Sequence, residues 1–267
     1  MPTAPLAASC RTLLRAGRAL PAYNVRTYVL RRARDASRGR RGAAGPRAAE
    51  LLGEVVHTAT LPPPSRGGLR DEPFSGLPTR VAAAAVRLTA ALEAASIPHA
   101  LAGAVACHAY GHRRATEDVD VLVNAEALPA LVDTLHGAGW VPRYAAARRS
   151  WRDAAERVDV DVLLSGEFPG DGLPKPVAFP RVDGVEGFTW ARARGGARVL
   201  NLVALVAIKL ASAASAPHRL KDAADVSALI EAQALPREFA VELDVSVRPL
   251  FVKLWDDVQA KRTAGLN

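Results

Sequence analysis

The feature that most constrains this chain is a pairing of aspartate with valine that occurs twice. Asp118-Val119-Asp120-Val121-Leu122-Val123 and Val158-Asp159-Val160-Asp161-Val162-Leu163-Leu164 each set two acids at alternate positions of an apolar run. Side chains alternate faces along a strand, so Asp118 and Asp120 point the same way, roughly 7 Å apart, while Val119, Val121 and Val123 face the core. Asp159 and Asp161 repeat that geometry. Acids so placed are unfavourable unless a cation or partner compensates them. If the two strands are neighbours, Asp118, Asp120 and one acid of the second strand form a three-carboxylate site for a divalent cation. Carboxylate oxygens suit magnesium, which commonly binds a few of them together with substrate phosphates. Two such ions can activate an attacking oxygen and neutralise a leaving phosphate, which points to a nucleotide-handling enzyme. The competing interpretation is a pair of strand-entrance acids bridged to Arg113 or Arg114.

The surrounding chain predicts alternating helices and strands. A helix is expected over residues 79–95, capped by Thr79 and burying Val81, Leu88 and Leu92. A short strand at 99–101 leads into the Gly103 turn, with helix over 104–110 and strand over 119–123. Helix 128–136 is closed by Gly137 and Gly139. Strand 157–164 is followed by a Gly/Pro-rich excursion over 165–180 and a hairpin over 181–192. Helices are expected over 200–212, 219–233 and 247–260. Strands interleaved with helices give an α/β (α+β) domain. The turn at Gly103-Ala104 would offer backbone N–H groups to phosphates.

Several side chains admit plainer roles. Lys209 can lay its stem on the surface with its ammonium in water. Lys221 and Asp225 stand at i,i+4 spacing, and Asp222 and Asp225 share one helix face. His108 and His112 lack a third ligand for zinc, and Cys107 suits a buried apolar position.

Four segments in order carry a resemblance: Ala102-Gly103-Ala104; Arg114-Ala115-Thr116-Glu117-Asp118-Val119-Asp120; Lys209-Leu210-Ala211; and Arg219-Leu220-Lys221-Asp222-Ala223-Ala224-Asp225-Val226. Together they resemble the nucleotidyltransferase superfamily, in its AbiEii-type branch, over about residues 78–255. The resemblance implies a mixed sheet with flanking and C-terminal helices over 78–262. It also implies Mg2+-dependent transfer of a nucleoside monophosphate from an NTP to an unidentified acceptor, with a two-metal site. It makes Asp118 and Asp120 metal ligands and Asp161 the third carboxylate, with Asp159 the alternative. Lys209 would contact nucleotide phosphate. Gly103, Ala104 and Thr116 would line the nucleotide site, and Asp222 or Asp225 would orient substrate or lysine. Ala104 departs from the pattern, since active transferases carry Gly or Ser there.

The chain of 267 residues has a formal net charge of +8 and a pI near 10.1, which favours anionic partners. The positive charge concentrates before residue 50, where Asp35 is the single acid among many arginines. Aromatic residues make up 5% of the chain, too few for an extended base-stacking platform, so nucleic acid is expected only as an acceptor. Cys10 and Cys107 cannot make a disulfide framework or zinc cluster. The apolar run over 199–210 contains Asn201 and Lys209 and is too short to span a membrane. Pro62-Pro63-Pro64-Ser65-Arg66-Gly67-Gly68 marks a linker over 59–77. Before it, Arg11, Leu14-Arg15, Tyr23-Asn24, Arg26-Thr27-Tyr28, Arg31-Arg32 and Arg34-Asp35 resemble the LYR-motif family, most closely the small accessory subunit of mitochondrial cysteine desulfurase. Ser9-Cys10 replaces the Leu-Tyr pair of that motif. The resemblance implies a small basic helical segment over 5–58 that binds acyl carrier protein and cysteine desulfurase in iron–sulfur cluster assembly. An adaptor without catalysis is therefore the alternative function. The acid-poor beginning also has the composition of a mitochondrial presequence; without it the expected location is cytoplasmic.

Overall fold

A computed structural model describes residues 76–184, 187, 189–193, 196–215 and 219–265. The expected segment 5–58, and the linker 59–77 apart from its last two residues, lie outside these. The described residues form a seven-stranded mixed sheet in the order β3-β4-β5-β2-β1-β7-β6. The strands are β1 (His99–Leu101), β2 (Asp118–Val123), β3 (Trp140–Pro142), β4 (Ser150–Asp153), β5 (Asp159–Leu164), β6 (Trp190–Arg192) and β7 (Arg198–Leu200). Flanking them are α1 (Thr79–Ala94), α2 (Gly103–Ala109) and α3 (Leu128–Gly137). The C-terminal helices are α4 (Leu202–Ser215), α5 (Leu220–Ala232) and α6 (Arg248–Thr263). This is the mixed α/β sheet with flanking and C-terminal helices that the sequence predicts.

Strand β2 runs antiparallel to β1 and parallel to β5. Val119, Val121 and Val123 are fully buried, and α1 packs on β1 and β2. Each buried valine contributes roughly 1.5–3 kcal/mol, which anchors a strand whose other face carries acids. Val81, Leu88 and Leu92 are the buried side of α1, as expected. The helix begins differently from expectation. Its N-cap is Pro78, and Thr79 already lies within the first turn, so the threonine is not the cap. Pro78 fits because its missing N–H is not needed at a helix start.

Two stretches differ further from the sequence expectation. Strands β3 and β4 were not anticipated. They are short, β4 alternates polar and buried residues, and their pairing depends on remote contacts. Trp151 is fully buried edge-on against His136, and the buried Asp153 meets the guanidinium of Arg87 at 2.9 Å. The hairpin expected over 181–192 is instead β6–β7, running antiparallel over 190–200. Residue 182 is withheld from a ladder because its N–H donates to Asn124 Oδ1 at 3.0 Å. The hairpin is braced by Arg198, whose guanidinium stacks 3.8 Å over the Trp190 ring.

The C-terminal helices pack on one another, α4 on α5 and α5 on α6. Asn201 begins α4 by accepting the Ala204 N–H at 2.7 Å, a capping bond that satisfies an otherwise open donor. Among the described residues no helix is long and apolar enough to cross a membrane.

Candidate active site

The two Asp-Val-Asp segments lie side by side. In the parallel β2–β5 pair, Asp118 is opposite Asp159 and Asp120 is opposite Asp161. All four carboxylates therefore share one face of the sheet. Their partners separate them. Asp159 accepts two bonds from Arg152, at 2.7 and 3.2 Å, and pairs with Arg143 at 3.2 Å. The Arg152 hydrogen bonds hold its carboxyl below the usual carboxylate range. Asp161 takes a single hydroxyl, Ser150 Oγ at 2.9 Å. Asp118 is exposed and accepts the Thr116 hydroxyl at 2.6 Å. Of the two candidates for a third carboxylate, the one without a cationic partner among the described residues is Asp161.

Asp120 occupies the centre. Its backbone carbonyl accepts the Ala102 N–H at 2.8 Å, which draws the Gly103 turn directly over its side chain. Gly103 has φ +53°, and a Cβ there would stand 1.8 Å from Asp120 Oδ2. Only glycine has both the backbone freedom and the missing side chain that this approach requires. Among the described residues, no hydrogen bond or ion pair engages the Asp120 carboxylate. Burial first, then the charges of Asp118 and Asp161, push its carboxyl up to about 6; Lys209 and Arg114 oppose the rise.

Asp120 and Gly103 open onto a cleft of about 670 Å³, whose wall also includes Lys209 and Asp222. Asp118, Asp161, Asp225, Thr116 and Ala104 lie outside that wall, and Thr116 and Ala104 are buried. Apolar residues such as Leu163, Leu205 and Ile208 also line it, and further wall comes from the 165–180 excursion, with Glu167, Phe168 and Asp171, and from Arg149, Ser212 and Arg219. None of the last six was singled out from the sequence as a site residue. The Phe168-Pro169-Gly170 turn was the available signal, since a loop this long in a compact domain is often functional.

Lys209 is 5% exposed, so its head does not reach into water. Its Nζ donates to Asp225 at 2.5 Å and to Asp222 at 3.1 Å. Burial would lower the ammonium's pKa, but the surrounding acidic groups, with the Asp225 and Asp222 carboxylates in direct contact, outweigh it and hold the pKa raised. Asp225, 2% exposed, also meets Arg114 at 2.8 Å and His112 Nε2 at 3.0 Å. Burial would raise its carboxyl, yet Lys209, Arg114 and His112 pull it below the usual range. Asp225 thus pairs with Lys209 rather than with Lys221. His108 Nε2 lies 2.7 Å from the Arg114 carbonyl oxygen, so both histidines brace this network. Burial pushes the Cys107 thiol up to about 12, as suits an apolar position.

The donor chemistry of Asp118, Asp120 and Asp161 fits a hard cation: three oxygen carboxylates, one with a raised pKa that a cation would relieve. The side chains do not close around a single point. Among the described residues, no group of three His, Cys, Asp or Glu side chains encloses a metal position.

No family model matches the chain, and no curated protein matches it. Among solved structures it is similar to a crystal structure of ANT(2'')-Ia in complex with adenylyl-2''-tobramycin. The identity is 14% and the TM-score 0.44, over 67% of this chain and 99% of that one. It is also similar to a solution structure of the antibiotic-resistance factor ANT(2'')-Ia, at 15% identity and a TM-score of 0.37, over 67% of this chain and 91% of that one.

Proposed function

We propose that residues 78–262 form a nucleotidyltransferase-like domain of the AbiEii type, which transfers a nucleoside monophosphate from an NTP to an acceptor in a magnesium-dependent reaction. The observation that carries this is the register of β2 on β5. It sets Asp120 beside Asp161 and leaves Asp120, without a partner among the described residues, under the Gly103 turn at a cleft. Asp118, Asp120 and Asp161 would hold magnesium, which supplies charge neutralisation on phosphate and activation of the attacking oxygen. Gly103 sets the close approach of backbone to the Asp120 carboxylate. Lys209 and Asp222 line the cleft, with Asp225 holding Lys209 from behind the wall, and Thr116 donates its hydroxyl to Asp118 while the buried Ala104 follows Gly103 in the turn. The test is release of pyrophosphate from each NTP with magnesium present, compared between wild-type and Asp118→Asn/Asp120→Asn protein. Turnover by wild-type that the double variant loses supports the proposal; equal turnover, or none from wild-type with any acceptor mixture, overturns it.

For residues 5–58, the arginine and tyrosine spacing supports retention of acyl carrier protein and cysteine desulfurase, and with it a mitochondrial location. Full-length protein retaining acyl carrier protein in a pull-down, and a variant lacking residues 1–60 losing it, is the outcome expected. Equal retention by both would remove the adaptor role.

A further inference from the structure

Among the described residues three cations line the cleft, and two have an anionic partner at short range. Lys209 is held between Asp222 and Asp225. Arg149 Nη1 stands 2.5 Å from Glu167 Oε1. Arg219 differs. Its Nη2 donates to the carbonyl oxygen of Gly170 at 3.1 Å, a neutral acceptor. Its Nη1 is 3.9 Å from Asp222 Oδ2, beyond hydrogen-bond range. The Asp222 carboxylate already accepts Lys209 at 3.1 Å and the Ser212 hydroxyl at 2.6 Å. A guanidinium carries five N–H donors, and among the described residues only Gly170 takes one. The Arg219 side chain is 41% exposed.

The charges sharpen the contrast. Lys209 and Arg114 balance Asp222 and Asp225, so that buried network has no surplus positive charge for an anion. Arg219 does have a surplus, and its anchor is firm. Gly170 has φ +82°, and a Cβ there would come within 2.1 Å of Ser215 Oγ and 3.1 Å of Ser212 Cα. The excursion is therefore seated closely on α4, and the Gly170 carbonyl holds the guanidinium at a defined place. A planar guanidinium matches pairs of phosphate oxygens with two parallel bonds.

Resting on the nucleotidyltransferase proposal, we propose that Arg219 is the side chain that contacts the phosphates of the bound nucleoside triphosphate. Lys209 then acts behind it as a positioning residue, through Asp222. Arg219 touches the ligand, whereas Lys209 keeps the Asp222 carboxylate engaged so that it does not neutralise the guanidinium.

The experiment compares wild-type, Arg219→Gln and Arg219→Lys full-length protein by calorimetry with each NTP, with inorganic tripolyphosphate, and with the matching nucleosides by ligand-observed NMR. Loss of one charge-assisted phosphate contact predicts weaker NTP and tripolyphosphate binding by about ten-fold or more in Arg219→Gln, with partial recovery in Arg219→Lys and unchanged nucleoside binding. A phosphate contact also predicts a shallower salt dependence in the glutamine variant. Unchanged NTP affinity in Arg219→Gln would overturn the proposal. Equal weakening of nucleoside and NTP would also overturn it, because a residue that only tethers the Gly170 loop acts on both. If wild-type binds neither NTP nor tripolyphosphate, the nucleotidyltransferase proposal itself fails and this one with it.

Discussion

Asp120 carries the most direct physical prediction. Its carboxyl is raised from 3.8 to about 6 by burial and by Asp118 and Asp161. The folded state therefore holds this proton more tightly than the unfolded chain does. By linkage, the protein bound to more protons gains as pH falls, so Asp120 weakens the fold increasingly from about pH 4 to about pH 6, and fully above that. Taken whole, the rise corresponds to about 3 kcal/mol. Asp120 is half-buried and opens onto a cleft, so solvent screening reduces this to about 2 kcal/mol. Asp120→Asn removes the penalty. In metal-free buffer with chelator at pH 7.5, the variant is expected to melt about 4–8 °C above wild-type. The gap should shrink steadily toward pH 4, where both carry a neutral side chain. Taking the difference between two proteins cancels the titration of all other groups that Asp120 does not touch. Magnesium should then raise the melting temperature of wild-type and not of the variant. A variant that melts at or below wild-type at pH 7.5 in chelator would refute the reasoning.

Three further outcomes are expected. Gly103→Ala would bring a methyl 1.8 Å from Asp120 Oδ2 at a φ of +53°; it should destabilise by more than about 1 kcal/mol and weaken manganese binding measured by electron paramagnetic resonance. Lys209→Met leaves Asp225 buried without its closest cation, and chemical denaturation at pH 7 should show a loss of about 3–5 kcal/mol. Asp161→Asn should weaken manganese binding while Asp159→Asn leaves it unchanged, since Asp159 is already engaged by Arg152 and Arg143; the reverse order would assign the third carboxylate to Asp159.

The parts of this molecule legible in the sequence are those governed by local periodicity. Asp118-Val119-Asp120 and Asp159-Val160-Asp161 announce their strands because the alternation is itself the strand geometry, and their shared face follows from it. The five longer helices fell within a few residues of expectation for the same reason. What escaped is decided across the chain. β4 exists because Trp151 finds His136 and Asp153 finds Arg87, 66 residues away by number. The hairpin moved because Asn124 takes the N–H of Val182, and no property of residues 181–192 reveals a competitor that far upstream.

The same distinction governs the candidate site. Which residues are acidic and which share a face can be read locally; which charges remain available cannot. Asp159 and Asp161 are interchangeable in sequence, and a β4 arginine on one and a β4 serine on the other divide them. Lys209 looks like a free cation until α5 supplies Asp222 and Asp225. Arg219 looks like an ordinary residue at a helix start until the Gly170 carbonyl, rather than a carboxylate, proves to be its hydrogen-bond partner. Chemistry at such a cleft depends on the charges left uncompensated. Among the described residues these include Asp120, whose carboxylate has no hydrogen-bond or ion-pair partner, and Arg219, whose surplus is opposite in sign. An anionic ligand bridged to Asp120 by a cation and held by Arg219 would relieve both, and neither change alone would do so.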